Sequence, residues 1–166
     1  MGAGKRLLWL EFEGGEQNEK NKGFGVEPPI AVEYNKLERE LVVATKRDVR
    51  IIDLDTGRTK KVWAHFLKEE AEGTEITQML LGVRCKYLIL STSSGKISSY
   101  SYRTGKPYFE NAGHRGQDVT TLILDSHHHL LVSGGSDSSL QVQAEVTKDE
   151  PSVLRATKSA HLGQDI

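Results

Sequence analysis

A phrase of strands and turns recurs along the chain, and this repetition constrains the fold more than any other feature. Each copy has two short apolar runs joined by a tight polar turn, with a third apolar run before them. The copies comprise the runs 30–34, 40–45 and 49–54; 76–81, 87–92 and 97–102; and 119–124, 130–133 and 140–143. Short alternating runs are typical of β-strands, and few stretches show the 3.6-residue period of a helix. We therefore predict an all-β chain with about four strands in each unit of roughly 40 to 50 residues.

Fragments of the same phrase occur near both ends of the chain. Trp9 stands five residues before a glycine, as Ile52 does in the first full copy. Ala160-His161 repeats the Gly113-His114 dipeptide that opens the third full copy. The predicted units are 1–27, the end of a preceding unit with its loop; 28–66, 67–112 and 113–158, three full units; and 159–166, the start of a following unit.

The order of these signals resembles the WD-repeat β-propeller family, in which each blade is a four-stranded sheet. Gly113 and His114 match the family's entry dipeptide, Ser133 its strand serine and Asp137 its tight-turn aspartate. The resemblance implies that His114, Ser133 and Asp137 form a buried, hydrogen-bonded structural brace. Gln143 stands where the family has the tryptophan of this network, and we expect it to lie near the brace.

The number of units is smaller than a closed propeller requires, since such a ring usually has about four to eight blades. We expect a partial WD-repeat propeller of about three four-stranded blades, with fragments of the flanking blades. An open end blade would expose on the order of several hundred Å² of apolar surface, which costs roughly 10 kcal/mol at about 25 cal/mol per Å². The sequence therefore predicts a larger chain, or a partner that completes the propeller.

Composition and charge argue against several classes of partner. Lys and Arg number 22 against 23 Asp and Glu, so the net charge of −1 gives no overall attraction to nucleic acid or an anionic membrane. No apolar run approaches the roughly 18 to 20 residues of a membrane span. The single cysteine, Cys85, cannot form an internal disulfide, which suits a reducing compartment. These features predict a cytoplasmic protein that binds neither nucleic acid nor membrane.

Candidate catalytic and metal-binding residues are present, but their spacing favours neither use. His127, His128 and His129 are consecutive, so only the first and third share a side of an extended segment, and no carboxylate or thiol partner is indicated. A Ser-His-Asp triad needs an exposed nucleophile beside an oxyanion pocket, whereas His114 has the family's structural spacing. We predict that the protein is not an enzyme and uses no cofactor or metal.

Two charged clusters are candidate contact surfaces. The acidic cluster 69–72 falls in a polar loop, where we expect its carboxylates to be solvated. Arg58 and Lys60 share a parity on the predicted outermost strand of the first full unit, and Lys61 follows them. These three cations, the basic rim, are the candidate contact for an acidic partner protein. A solvated rim is the simpler interpretation.

Several phrases are similar to the EF-hand-and-WD-repeat proteins of motile cilia and flagella. They are 75–77, 95–97, 100–105, 153–155, 160–161 and 165–166. The resemblance implies a non-enzymatic scaffold that contacts axonemal microtubule-associated proteins. The chain has no D-x-D-x-D-G calcium loop, so only the propeller function is carried over. The alternative is an accessory propeller domain of a larger enzyme or regulatory protein.

Overall fold

The computed structural model describes residues 27–114, 116–125, 127, 130–144 and 160–161. The interpretations of Trp9, of His128 and His129, and of the phrases 153–155 and 165–166 concern residues outside these ranges. The strands are β1 (Ala31–Asn35), β2 (Glu40–Ala44), β3 (Val49–Asp53), β4 (Thr59–Trp63), β5 (Ile76–Leu81), β6 (Tyr87–Thr92), β7 (Lys96–Ser101), β8 (Pro107–Ala112), β9 (Val119–Asp125), β10 (Leu130–Gly135), β11 (Ser139–Ala144) and β12 (Ala160–His161). The described helical structure is one 3₁₀ turn, Val83–Cys85, and no described helix is long and apolar enough to cross a membrane.

The strands form three antiparallel four-stranded sheets, and in each sheet the spatial order follows the chain. The first sheet is β1 to β4, the second is β5 to β8 and the third is β9 to β12. The predicted all-β fold with three such sheets is confirmed. Within the first two sheets, short turns join consecutive strands because the apolar runs end in polar turn sequences.

The outer strand of the third sheet, β12, lies within the segment that the sequence assigned to a following unit. Ala160–His161 pair antiparallel with β11, with Leu140 opposite Ala160 and Ser139 opposite His161. The sequence interpretation assigned 159–166 to the start of a following unit because Ala160-His161 repeats an entry dipeptide. Pairing here satisfies backbone groups that β11 would otherwise expose along its free edge.

The core lies between successive sheets. Alternate side chains of the first sheet pack against the second around Val42, Ile51, Leu88 and Tyr100. On its other face the second sheet packs against the third around Ile89, Ile97, Val119, Leu122 and Leu131. The first strands of the sheets adjoin in sequence, β1 beside β5 and β5 beside β9. The second sheet is therefore covered on both faces, and its strand β6 is buried along its whole length.

The first and third sheets each have an outer face that turns away from the second sheet. On the first sheet this face exposes Val32 by 56%, Tyr34 by 52% and Val62 by 52%. On the third sheet it exposes Ile123 by 57% and Leu140 by 38%. Apolar side chains on a strand normally face a packed layer, so both outer faces have the composition of surfaces that other elements cover.

Candidate functional site

The predicted brace is centred on the imidazole of His114, which is completely buried. Its Nδ1 lies 3.0 Å from Asp137 Oδ1 and 3.0 Å from Ser139 Oγ, and its Nε2 lies 2.8 Å from Ser133 Oγ. His114 follows β8, Ser133 lies in β10, and the turn before β11 carries Asp137. The imidazole therefore ties the entry of the third sheet to two of its strands.

The charge state of Asp137 determines the direction of these hydrogen bonds. Burial opposes its ionisation, but hydrogen bonds from Ser139 and His114 outweigh that effect and lower the pKa of Asp137 to about 2. The ionised carboxylate can only accept, so the N–H at Nδ1 of His114 donates a hydrogen bond to Asp137. With this tautomer of the neutral imidazole, Nε2 accepts from the Ser133 hydroxyl. The arrangement uses both ring nitrogens internally, so neither is presented to a substrate.

Two buried glutamines lie in β11, the strand that follows the Asp137 turn. The register places Gln141 opposite Ser133, and the Gln141 amide donates to the carbonyl of Gly113. Gln143 lies opposite Leu131, two residues further along, and is 3% exposed. The Gln141 contact was missed from the sequence because it depends on the strand register.

Lys60 of the basic rim lies among acidic side chains. Its Nζ is 2.8 Å from Asp53 Oδ2 and 3.0 Å from Glu40 Oε1. The hydrogen bond to Asp53, and to a lesser extent the one to Glu40, raises the pKa of Lys60. The same Lys60–Asp53 hydrogen bond lowers the pKa of Asp53 to about 2. The charge of Lys60 is therefore compensated within its own sheet, which weakens it as a contact for an acidic partner.

The other two members of the rim have different surroundings. Arg58 is exposed and immediately precedes β4, the strand that contains Lys60. Its carbonyl accepts from the Asp53 amide at 2.9 Å, which fixes the backbone in the turn. Lys61 donates from Nζ to the carbonyl of Arg103 at 3.0 Å and lies 5.5 Å from the centroid of the Trp63 ring. Lys61 thus belongs to the junction between the first and second sheets.

A cleft of about 790 Å³ occupies this junction. It is lined by the β1–β2 turn, the 3₁₀ turn before β6 and the β7–β8 turn, with Lys61 at one side. The hydroxyl of Tyr102 in this cleft donates to Glu40 Oε2 at 2.5 Å. Burial and this hydrogen bond raise the pKa of Tyr102. Tyr102 and Glu40 therefore join the two sheets at the cleft through a protonated phenol.

Glu70 of the acidic cluster 69–72 is more buried than predicted. Glu70 accepts from Lys96 Nζ at 2.7 Å and from Ser94 Oγ at 3.2 Å, and its side chain is only 12% exposed. The expectation of a solvated carboxylate is wrong for this residue. Lys96 lies in the second sheet, 26 positions away, so the pairing depends on the way the loop folds back onto that sheet.

The described residues give little support for catalysis or metal binding. In this part of the chain no group of three His, Cys, Asp or Glu side chains has the geometry to hold a metal ion. Burial raises the pKa of the Cys85 thiol, which disfavours the nucleophilic thiolate. The backbone amide of His127 donates to Asp125 Oδ1 at 2.9 Å, as in a polar turn.

No protein-family model and no curated protein matches this sequence. Solved structures do match its fold. The crystal structure of RRP9 WD40 repeats has a TM-score of 0.62 and 19% sequence identity, and the match covers 71% of this chain and 36% of that chain. The structure of U3-55K has a TM-score of 0.61, also with 19% identity over the same shares. The fold is that of a WD40 β-propeller. The chain spans 36% of the length of each of these structures.

The WD40 fold explains the arrangement of the three sheets. Each sheet is one blade, with its first strand innermost and its fourth strand at the rim. The blades of a propeller pack face to face, so the outer faces of the first and third blades are the faces on which further blades would pack. Val32 and Ile123 mark these two faces. The described blades thus form part of a propeller.

Proposed function

We propose that this chain contributes three blades to a larger WD40 propeller that acts as a non-enzymatic protein-interaction scaffold. The observation that carries the proposal is the pair of apolar outer faces, marked by Val32, Tyr34 and Ile123, each more than half exposed. Further blades, from a longer chain or from a partner, would cover these faces. The completed ring would present its turns and rim strands as rigid contact surfaces.

The chemistry of the polar cluster around His114 supports a scaffold rather than an enzyme. His114 uses both ring nitrogens to bind Asp137, Ser139 and Ser133 and is fully buried, so the cluster stabilises a blade. The expectation that the protein binds no nucleic acid rests on the net charge of −1 and stays a prediction.

The compartment that best fits the sequence phrases is the ciliary or flagellar axoneme. The support is the similarity of 75–77, 95–97 and 100–105 to EF-hand-and-WD-repeat proteins. A fluorescently tagged full-length protein should therefore localise along the axoneme of a ciliated cell. Its absence from cilia would refute this compartment while leaving the scaffold proposal in place. An adjoining catalytic domain in the full-length protein would favour the alternative, an accessory propeller domain.

The scaffold proposal is tested by the behaviour of the purified 166-residue chain. We expect self-association in sedimentation velocity and binding of the dye ANS, because Val32 and Ile123 expose apolar surface on the two outer faces. The variant Val32→Glu/Ile123→Glu should associate less and bind less dye. Leu37→Glu is the matched control, because Leu37 is 62% exposed but lies in a turn. A monomeric, cooperatively folded chain that binds no dye would contradict the proposal.

A further inference from the structure

The cleft between the first and second blades has more cations than carboxylates in its lining. The charged residues that line it are Lys61, Arg84, Lys86, Arg103, Glu38 and Glu40. Glu40 is already bound by the Tyr102 hydroxyl and by Lys60. The charge available to a ligand is therefore positive.

Three of these cations are free to bind a ligand. Arg84, Lys86 and Arg103 are exposed, and no described carboxylate lies within ion-pairing distance of any of them. Lys61 adds a fourth positive charge, since its hydrogen bond to the Arg103 carbonyl leaves the ammonium charge uncompensated. Isolated surface cations are common, but here they line one cavity of a size that suits a ligand.

The backbone that carries these cations is fixed in an uncommon conformation. Arg84 and Cys85 have left-handed φ angles of 56° and 54°, a region that few non-glycine residues occupy. The turn is held to the end of the second blade's third strand, because the Tyr102 amide donates to the Lys86 carbonyl at 3.0 Å. Residues held in such conformations often mark binding sites. The turn keeps Arg84 and Lys86 close to Arg103, which reduces the entropy lost when a ligand binds.

The composition of the cleft favours a peptide over a nucleic acid. Tyr102 and Tyr87 are only 7% and 9% exposed, and Tyr108 is half-buried with its ring edge-to-face against Tyr87, so the lining has no fully open ring on which bases could stack. Glu38 adds a carboxylate that would repel a phosphate backbone. Peptide carboxylates can meet the cations singly, with uncharged residues beside Glu38.

We propose that this cleft docks an acidic segment of a partner protein, with its carboxylates paired to Arg84, Lys86 and Arg103. The inference rests on the proposed scaffold function and names the chemistry of one partner. It also moves the contact from the predicted basic rim, where Lys60 is neutralised, to the junction between two blades.

The test is binding of a fluorescein-labelled decapeptide of alternating Glu and Ser to the full 166-residue chain, measured by fluorescence anisotropy. The corresponding decapeptide of alternating Gln and Ser is the ligand control. Each lost charge pair should weaken binding about threefold, so Arg84→Gln/Lys86→Gln/Arg103→Gln should weaken it about 30-fold. The acidic peptide should also bind more weakly at 300 mM than at 50 mM NaCl.

The control protein removes the same charge elsewhere, with Arg47→Gln, Arg58→Gln and Lys68→Gln at exposed positions outside the cleft. It should bind the acidic peptide as the original chain does. Because Arg84 has a left-handed backbone, Lys86→Gln/Arg103→Gln provides a second test that leaves this residue unchanged, with about a tenfold loss expected.

Equal binding by the cleft and control variants would overturn the proposal. Tighter binding of a 12-nucleotide single-stranded RNA than of the peptide, lost in the cleft variant, would overturn it in favour of nucleic acid. Loss of peptide binding in the cleft variant supports the docking proposal, whatever the outer-face variants do. Unchanged association of the outer-face variants would refute only the proposal that further blades complete the propeller, so the two proposals fail separately.

Discussion

The substitution Gly135→Ala adds only one methyl group, but we expect it to destabilise the third blade strongly. A Cβ atom at this position would lie 2.4 Å from Nδ1 of His114 and 2.8 Å from Asp137 Oδ1. The imidazole is completely buried and would have to move, which breaks its hydrogen bonds to Asp137 and Ser133. Each bond contributes about 1 kcal/mol, and a buried group left unsatisfied costs about 1 to 3 kcal/mol. We therefore expect a loss of about 2 to 4 kcal/mol in the free energy of unfolding.

The neighbouring Gly134 provides a matched control for this substitution. A Cβ atom there would meet only Thr121 Cβ, at 3.9 Å, and neither glycine has a positive φ angle. Gly134→Ala should change stability by less than about 1 kcal/mol, in the stabilising direction if the unfolded-state entropy dominates. Urea denaturation followed by circular dichroism measures both variants. Equal midpoints for the two would refute the argument that the brace is tightly packed and contributes to stability.

Three further predictions concern polar contacts. The contribution of Asp137 should be present above pH 4 and disappear as the pH falls from about 4 to 2, because its pKa is lowered from the unfolded value of about 3.9 to about 2. The urea midpoint should vary less with pH in Asp137→Asn than in the original chain. The same pH dependence in both proteins would count against the brace. Tyr102→Phe removes the hydrogen bond to Glu40 and should cost about 1 to 2 kcal/mol by urea denaturation, whereas an unaltered stability would mean that the contact is not formed in solution. Lys60→Gln leaves Asp53 and Glu40 without their shared cation and should lower the thermal midpoint, whereas a loss of partner binding at full stability would restore Lys60 as a contact residue.

The repeated pattern of the sequence was sufficient to predict the architecture. The runs 76–81 and 87–92 coincide with β5 and β6, since alternating apolar residues bounded by polar turns have few other structures available. Most other predicted strands differ from the observed bounds by one or two residues, because strand ends depend on pairing as well as on local sequence. The assignment of 159–166 to a following unit stays a prediction, since the described dipeptide Ala160–His161 pairs with β11 and does not determine where a unit begins.

The candidate site depends on contacts between residues that are far apart in the sequence. Glu40 and Tyr102 are 62 positions apart, and only the packing of the first two blades brings them within 2.5 Å. Lys60 was assigned to a positive rim because its acidic partners, Asp53 in β3 and Glu40 in β2, reach it only through the pairing of the strands. Glu70 was assigned to solvent because nothing in its own loop indicates Lys96. The cleft could not be predicted for the same reason, since three separate turns form it.

The most direct test of a partial propeller is the rate at which single cysteines on its outer faces react with a maleimide in the full-length protein within its cellular assembly. Val32→Cys and Ile123→Cys, each in a Cys85→Ser background, should react at least about tenfold more slowly than Ala71→Cys, which lies at an exposed loop position outside the cleft. Val32 and Ile123 are 56% and 57% exposed in the described blades, so coverage by further blades predicts this difference. Equal rates at all three positions would contradict the claim that the outer faces are packed in a completed propeller.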